Sequence, residues 1–368
     1  MKKSVQISFI VVVFLILFLP ILKFNLKGTI SEREKRTLEK KPEFALTNFS
    51  QYDAYFQDRF GGRDAFVDIA NFIDYKVFNS NGSRIDFDSN GGAIEGKDGW
   101  YFSLDHGKIS DYLKTNLLTE SELIKAKNAI QSKIDWCNEN DIKSLFVIGP
   151  NKHAIYPENY PFERPEGKTR IDQIVEIFEE LGANYVYPRD YLLEKKKTQE
   201  LPLYYETDTH WNLLGGYYAY EKINEIVLKL FPNVEFPQIE YEITDVHTSY
   251  DYGDLLPVMG LKEGESTHVI LEPKGASFSD YYPYMRNENS GVDGVFTKSN
   301  DKSLPKVIIY RDSFYASLTP YFSTLFSEAE YIWKPFKEED KQYVLNEKPD
   351  LLVFEAVECF IDNIIYSE

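Results

Sequence analysis

The 368-residue chain has only two cysteines, Cys137 and Cys359. Two thiols cannot build a disulfide scaffold, and Cys137 falls in a helix-like stretch, so both are expected to be free. Basic residues are in deficit: 41 Lys plus Arg face 59 Asp plus Glu, a formal charge of −18. A general nucleic-acid binder needs a basic face to neutralise phosphates, so nucleic acid is excluded as a partner. No Gly-rich phosphate loop occurs. The five histidines (His106, His153, His210, His247, His268) never pair at metal-ligand spacing, which argues against a structural zinc site. No metal and no cofactor is called for. There is no G-x-S-x-G elbow either, so a serine nucleophile has to sit in another setting. Internal repeats and low-complexity tracts are absent. What is present is apolar and aromatic, 43% and 15% of the chain. That is too much for disorder, and the length suffices for one large domain or two small ones around a buried core.

One long hydrophobic run exists, at the N-terminus. After Lys2 and Lys3, only Gln6 and Ser8 are polar between Val5 and Leu22. Eighteen helical residues span roughly 27 Å, close to the hydrocarbon thickness of a bilayer. The run has no polar face, so a membrane-inserted segment is expected. A cleaved signal peptide has the same start, but no small-x-small cleavage site follows, so residues 1–25 are taken as an uncleaved anchor. Residues 23–41 hold seven basic residues against Glu32, Glu34 and Glu39. The positive-inside rule alone would therefore keep the body in the cytoplasm.

Residues 26–95 are expected to form a juxtamembrane neck and lead-in region, with Gly-rich punctuation before the main domain at 96–368. There the signals alternate. Thr119-Glu120-Ser121-Glu122 is a capping box, followed by Leu123, Ile130, Ile134 and Cys137 at helical spacing. Residues 144–148 form a continuously apolar run that ends at Gly149-Pro150, as suits a strand buried on both faces. A second helix carries Ile171, Ile174, Val175, Phe178 and Leu181. A third carries Tyr220, Ile223, Val227 and Leu230, where Gly215-Gly216 is expected to permit close packing. Residues 235–300, rich in Gly, Ser, Asp and Tyr, break the pattern and are taken as an insertion. Strands at 307–310, 331–333 and 351–354 then alternate with helices at 314–326 and 338–346. This alternation predicts an α/β fold with a parallel sheet flanked by helices on both faces.

In such sheets ligands bind beyond the carboxyl ends of the strands. Asn151, Lys152 and His153 follow one strand, Arg311, Asp312 and Ser313 another, and Glu355 a third. Between them lies Asp208-Thr209-His210-Trp211, directly before the third helix. In an extended segment, residues two apart point one way, so Asp208 can orient the His210 ring and stabilise its charged form. Ser313 is the candidate nucleophile, because a serine at a strand-to-helix turn can have its own and the following N–H free for an oxyanion. Asp208 with His210 is equally compatible with a structural pair, and Ser313 and Asp312 with helix N-caps.

Several ordered segments together resemble a known family, the SGNH-hydrolase-like O-acetyltransferases related to the alginate acetylation proteins, including the DHHW proteins. Glu32-Arg33-Glu34-Lys35-Arg36-Thr37-Leu38 with Pro42, then Phe56-Gln57-Asp58-Arg59-Phe60 with Arg63, look like its first two motifs. Gly96-Lys97-Asp98-Gly99-Trp100-Tyr101-Phe102 resembles its G-x-D-G-W-[LY]-F segment, and Pro150-Asn151-Lys152 with Tyr156-Pro157-Glu158 its P-x-K…Y-P-E stretch. Asp208-Thr209-His210-Trp211 matches its D-[HT]-H-W signature, and Arg311-Asp312-Ser313-Phe314 its nucleophile segment. The resemblance implies an SGNH-hydrolase-like three-layer fold with a mainly parallel sheet. It implies a triad of Asp208, His210 and Ser313, with Asn151, Lys152, Trp211 and Arg311 as candidates for substrate or oxyanion contact. It also implies an anchored protein whose catalytic domain is extracytoplasmic, in the periplasm or at the outer surface, against the charge count. The implied activity moves an acetyl group through an acyl-serine onto a polysaccharide, with a membrane-bound O-acyltransferase as acetyl supplier. A carbohydrate acetyl-esterase with the same triad and a non-catalytic glycan-binding assembly protein are the alternatives. Two positions depart from the family pattern: Cys359 stands where Arg is expected after Val357-Glu358, which removes an expected ion pair, and Lys334 stands where Arg often follows a strand.

Overall fold

The computed structural model describes residues 92–251, 253–287 and 294–366, with residues 30–31, 36–37, 40–42, 51–52, 55–56 and 59. They divide into a small unit (residues 1–83 with 257–262) and a main unit (84–256 with 263–368). In the small unit Ile30–Ser31 pairs antiparallel with Arg36–Thr37. Among the described residues no helix is long and apolar enough to cross a membrane. The run Val5–Leu22, most of the neck and most of the first two motifs lie outside the described residues.

The main unit opens with a hairpin of β1 (Ala93–Glu95) and β2 (Tyr101–Ser103). Helix α1 (Glu120–Glu139) starts at the capping box: the Glu122 amide donates to Thr119 Oγ1, and the Thr119 amide to the Glu122 carboxylate. Strand β3 (Lys143–Gly149) follows, then α2 (Arg170–Leu181), capped by Thr169 with Asp172 and ended by Gly182 at φ 62. Next come β4 (Tyr185–Val186), α3 (Arg189–Thr198) and α4 (Leu213–Leu230). Strands β5 (Tyr241–Asp251) and β6 (Gly264–Pro273) pair as a separate antiparallel ribbon. The chain closes with β7 (Tyr284–Asn287), β8 (Gly294–Lys298), β9 (Lys306–Tyr310), β10 (Glu328–Ile332), α5 (Lys341–Glu347) and β11 (Leu351–Val357).

Seven strands form one sheet in the order β4-β3-β11-β9-β10-β8-β7. The first five are parallel, while β8 and β7 add antiparallel at one edge. The sheet is thus mixed, where the alternation of elements had suggested a parallel one. The expected insertion is also shorter than residues 235–300: 241–273 form the ribbon, but 284–298 belong to the sheet edge.

Alternate residues of the central strands face opposite ways. Leu145, Val147, Val307, Ile309, Leu351 and Val353 pack with Tyr220, Ile223 and Val227 of α4. Phe146, Ile148, Ile308, Tyr310, Leu352 and Phe354 pack with Ile130 of α1 and Ile174 of α2. Both layers of helices therefore have an apolar partner, and the three-layer α/β architecture follows. Cys137 and Cys359 are free and buried. The helix expected at 314–326 is a chain of short pieces: a 3-10 turn at Ser313–Ser317, a helical turn at Thr319–Phe322 and a second 3-10 turn at Ser323–Leu325. Pro320 has no amide to donate, so it is accommodated only in the first turn of a restarted helix.

Candidate active site

The loop between α3 and α4 is pinched at its base. Tyr204 and Trp211 form an antiparallel bridge, the Asn212 amide donates to the Leu203 carbonyl at 3.0 Å, and the Tyr205 amide donates to His210 O at 3.2 Å. The segment within is a tight turn and not the extended stretch anticipated. Asp208 Oδ1 accepts the His210 amide at 2.9 Å and lies 2.6 Å from the His210 Nδ1. One carboxylate oxygen thus fixes both the backbone and the ring of the same residue. Asn212 ends the loop by capping α4, its Oδ1 accepting the Gly215 amide at 3.0 Å.

Ser313 approaches from the other side, three residues after β9. Its Oγ stands 2.7 Å from His210 Nε2. With Nδ1–H directed at Asp208, Nε2 is the acceptor and the Ser313 hydroxyl the donor. Residues 208, 210 and 313 therefore form one hydrogen-bonded relay at the carboxyl edge of the sheet. Gly216 makes this approach possible, since a Cβ there would come within 2.8 Å of Ser317 Oγ, just past the nucleophile, while Gly215 leaves room for the Leu203 carbonyl at the base of the loop. The Trp211 indole adds a tie, donating to Phe314 O at 2.8 Å.

Electrostatics follow from these contacts. Burial alone would raise the Asp208 pKa, but the hydrogen bonds and charge of His210 and the Asp254 amide outweigh it, and the carboxylate is held below its ordinary value. Burial likewise acts to lower the His210 pKa. The Asp208 hydrogen bond and the charges of Asp208, Asp254 and Asp312 win, and the ring is more basic than usual. The ligand atoms of Asp208, His210 and Asp254 lie within 4.8 Å of one another, the spacing a metal would need. Both ring nitrogens of His210 are already engaged, however, which leaves two carboxylates. The arrangement is that of a proton relay.

The other sequence candidates occupy different places. Asn151 follows β3 and is only 1% exposed, yet neither its carboxamide oxygen nor its nitrogen has a partner. The end of β3 abuts the nucleophile turn, since a Cβ on Gly149 would lie 3.2 Å from the Phe314 ring. The Asn151 amide donates to Glu358 Oε2 at 3.1 Å. Glu358 therefore has partners without the arginine expected at 359; the Tyr187 hydroxyl is the other. Lys334 pairs with Asp340 at 2.5 Å.

Lys152 does not face a substrate. It is 4% exposed, and its ammonium donates to Tyr101 O at 2.6 Å, Glu206 O at 2.8 Å and Asp208 O at 3.0 Å, beside the ring of Trp100 at 5.0 Å. All three donors are used, so Lys152 is a strut beneath the Asp208 loop. Trp211 is 1% exposed and packs inward, which removes it as a sugar contact. Arg311 donates from Nη1 to Asp312 O at 3.1 Å and stacks over exposed Trp333 at 4.5 Å. One oxyanion expectation also changes: the Phe314 amide is not free, because it donates to Asp312 Oδ1 at 2.8 Å. Among the described residues the Ser313 amide has no acceptor, so it remains available.

Residues 93–303 match the family model described as the SGNH hydrolase-like domain of the acetyltransferase AlgX. That is more than half of the chain. The chain belongs to this family. The match takes in Asp208 and His210 and stops before Ser313, whose membership of the site rests on geometry. Among solved structures, the chain superposes on Bacillus cereus PatB1 with a sulfonyl adduct at TM-score 0.53 and 13% identity, covering 75% of this chain and 99% of that one. Pseudomonas aeruginosa AlgX gives TM-score 0.50 and 13% identity, covering 74% and 63%. The O-acetyltransferase domain of Pseudomonas putida AlgJ gives 0.49 and 16%, covering 75% and 93%. At these identities the likeness is one of fold. No curated protein sequence matches the chain.

Sequence reasoning overlooked Asp254 in this AlgX-family site. Its carboxylate accepts the Thr209 amide at 2.7 Å and the Thr209 hydroxyl, and its own amide donates to Asp208 Oδ2 at 3.1 Å. The one available signal was Gly253-Asp254 directly before Leu255-Leu256, a turn opening onto an apolar pair.

Proposed function

We propose that this AlgX-family protein is an extracytoplasmic O-acetyltransferase that passes an acetyl group through Ser313 to hydroxyls of a polysaccharide. The observation that carries this is the unbroken line from Asp208 through His210 to Ser313, with separations of 2.6 and 2.7 Å. Ser313 Oγ attacks the acetyl carbonyl carbon while its proton passes to His210 Nε2. Asp208 keeps the resulting imidazolium oriented and does not itself take the proton. The Ser313 amide and the Asn151 carboxamide are the donors available for the oxyanion. Collapse expels the donor's leaving group, which takes the proton from His210. In the second half, an acceptor hydroxyl gives its proton to His210 and attacks the acetyl carbon, and Ser313 departs with that proton.

The family supports acetyl transfer as the chemistry, and the apolar run Val5–Leu22 supports a membrane-anchored setting. A membrane-bound O-acyltransferase is the partner that would deliver acetyl groups to such a site. Water as the acceptor would make the same relay an acetyl-esterase, and the part-exposed His210 leaves water a path. The deciding experiment gives the full-length chain an isotopically labelled activated acetyl ester and a panel of neutral and acidic oligosaccharides. Label on sugar hydroxyls supports the transferase. Label only in free acetate, at a rate the sugars do not change, identifies the esterase.

A further inference from the structure

Asp254 lies 46 residues beyond Asp208 in sequence, yet it is locked to the relay turn at several points. Both its carboxylate oxygens hold Thr209, the residue between Asp208 and His210. Its amide occupies the Asp208 oxygen that does not face the ring. One of its oxygens also lies 3.8 Å from His210 Nδ1. The approach is close: a Cβ on the preceding Gly253 would fall well inside van der Waals contact of the Thr207 carbonyl, and the Leu255 amide donates to that same carbonyl at 3.3 Å. On the far side of the loop, Thr267 of β6 donates to the Glu206 carboxylate at 2.8 and 2.9 Å. The turn is thus held at two points by one end of the β5–β6 ribbon, where Asp251 pairs with Gly264.

We propose that Asp254 is a positioning residue for the relay, clamping the Asp208–His210 turn and placing a second fixed negative charge beside the His210 ring. The inference rests on the acyl-serine reading and adds a fourth member to the triad's support. During each half-reaction His210 becomes an imidazolium, and two carboxylates then share its stabilisation. The charged and titratable groups facing this ring are Asp208 from its own turn, Asp254 from the ribbon's return, and Asp312 and Ser313 from the turn after β9. The Lys152 amine lies below; burial lowers its pKa to about 7 against the opposing charges of Asp208, Asp254 and Glu206. Burial, then the charge of Asp208, raises the Asp254 pKa, as expected for two carboxylates that share a cation.

The test follows p-nitrophenyl acetate turnover by the full-length chain across pH. His210 has to be neutral to accept the Ser313 proton, so kcat/KM falls as pH drops through its pKa. Removing a neighbouring negative charge lowers that pKa. Asp254→Asn is therefore expected to lower kcat/KM about tenfold and to move the acid limb down by about half a pH unit or more. Asp254→Glu restores the charge and returns the limb toward its original position. Thr209→Val, which loses the hydroxyl tie but keeps the charge, slows turnover without moving the limb. An Asp254→Asn profile that superimposes on the unsubstituted one within twofold overturns the proposal. A slower Asp254→Asn with an unmoved limb does so too, since it leaves only a structural tie. Ser313→Ala with undiminished turnover instead overturns the acyl-serine reading itself.

Discussion

The amide of Phe314 is bound to Asp312 Oδ1 at 2.8 Å, so the residue after the nucleophile has no N–H to offer an oxyanion. Asp312 is itself held in place, since its other oxygen accepts the Val357 amide at 2.7 Å and its own amide donates to Glu355 Oε2 at 2.8 Å. On the acyl-serine reading, the Ser313 amide and the Asn151 carboxamide, which is buried without a partner, are the donors proposed for the oxyanion. Asn151→Ala is expected to reduce acyl transfer by roughly 10²–10³-fold, the usual cost of one oxyanion donor. Steady-state kinetics with an activated acetyl ester checks this. The loss should fall on kcat, because the oxyanion exists only beyond the ground state.

Lys152 supports the catalytic loop from below through three carbonyl oxygens. Lys152→Met keeps much of the side-chain volume but withdraws one hydrogen bond from each of those carbonyls, of which Glu206 O keeps the Tyr101 amide at 2.8 Å. A destabilisation of about 1–3 kcal/mol is expected, the cost of leaving a buried polar group short of its partner. Thermal unfolding should show the lowered midpoint, and activity should fall with it as the Asp208 carbonyl loses its tether. Lys152→Arg should not restore either property, because a planar fork cannot reproduce three convergent donors.

Glu358 titrates in an unusual range: burial first, against the relief of its Tyr187 and Asn151 hydrogen bonds, pushes its pKa up to about 7. The folded protein therefore holds a proton that the unfolded chain releases between the ordinary carboxylate range and pH 7. The contribution of Glu358 to stability is fully present at low pH and is lost as pH rises through 7. Glu358→Gln removes this dependence. The variant is expected to match the unsubstituted protein near pH 5 and to exceed it at pH 8 by two to three kcal/mol, order of magnitude only. Asp111, raised by burial to about 6, titrates in both proteins, and its charge is among those that raise the Glu358 pKa. Thermal midpoints at the two pH values provide the check.

The legible parts of this molecule were those written in local pattern. Thr119 and Glu122, Thr169 and Gly182, and the apolar runs at 144–148, 307–310 and 351–354 each announce an element by themselves. Asp208, His210 and Ser313 were legible because strand ends and loop positions in a parallel sheet converge on one edge. Contacts that depend on a side chain's choice among several partners were not. Lys152 could as well have pointed outward, and Asp312 is a cap whose acceptor happens to take the amide that the oxyanion reading needed. Asp254 was hidden by distance, since its partners lie on a different loop and its neighbours, Gly253 and Leu255, read as an ordinary turn. The antiparallel edge strands β7 and β8 were missed because segments of four and five residues are too short to carry a clear periodicity.

The most direct measurement is the mass of the Ser313 peptide after brief exposure of the full-length chain to p-nitrophenyl acetate and an acid quench. A single acetyl group on that peptide, absent from Ser313→Ala and strongly reduced in His210→Ala, is the expected result. Equal labelling of Ser313→Ala, or acetyl found only on other residues, would contradict the relay.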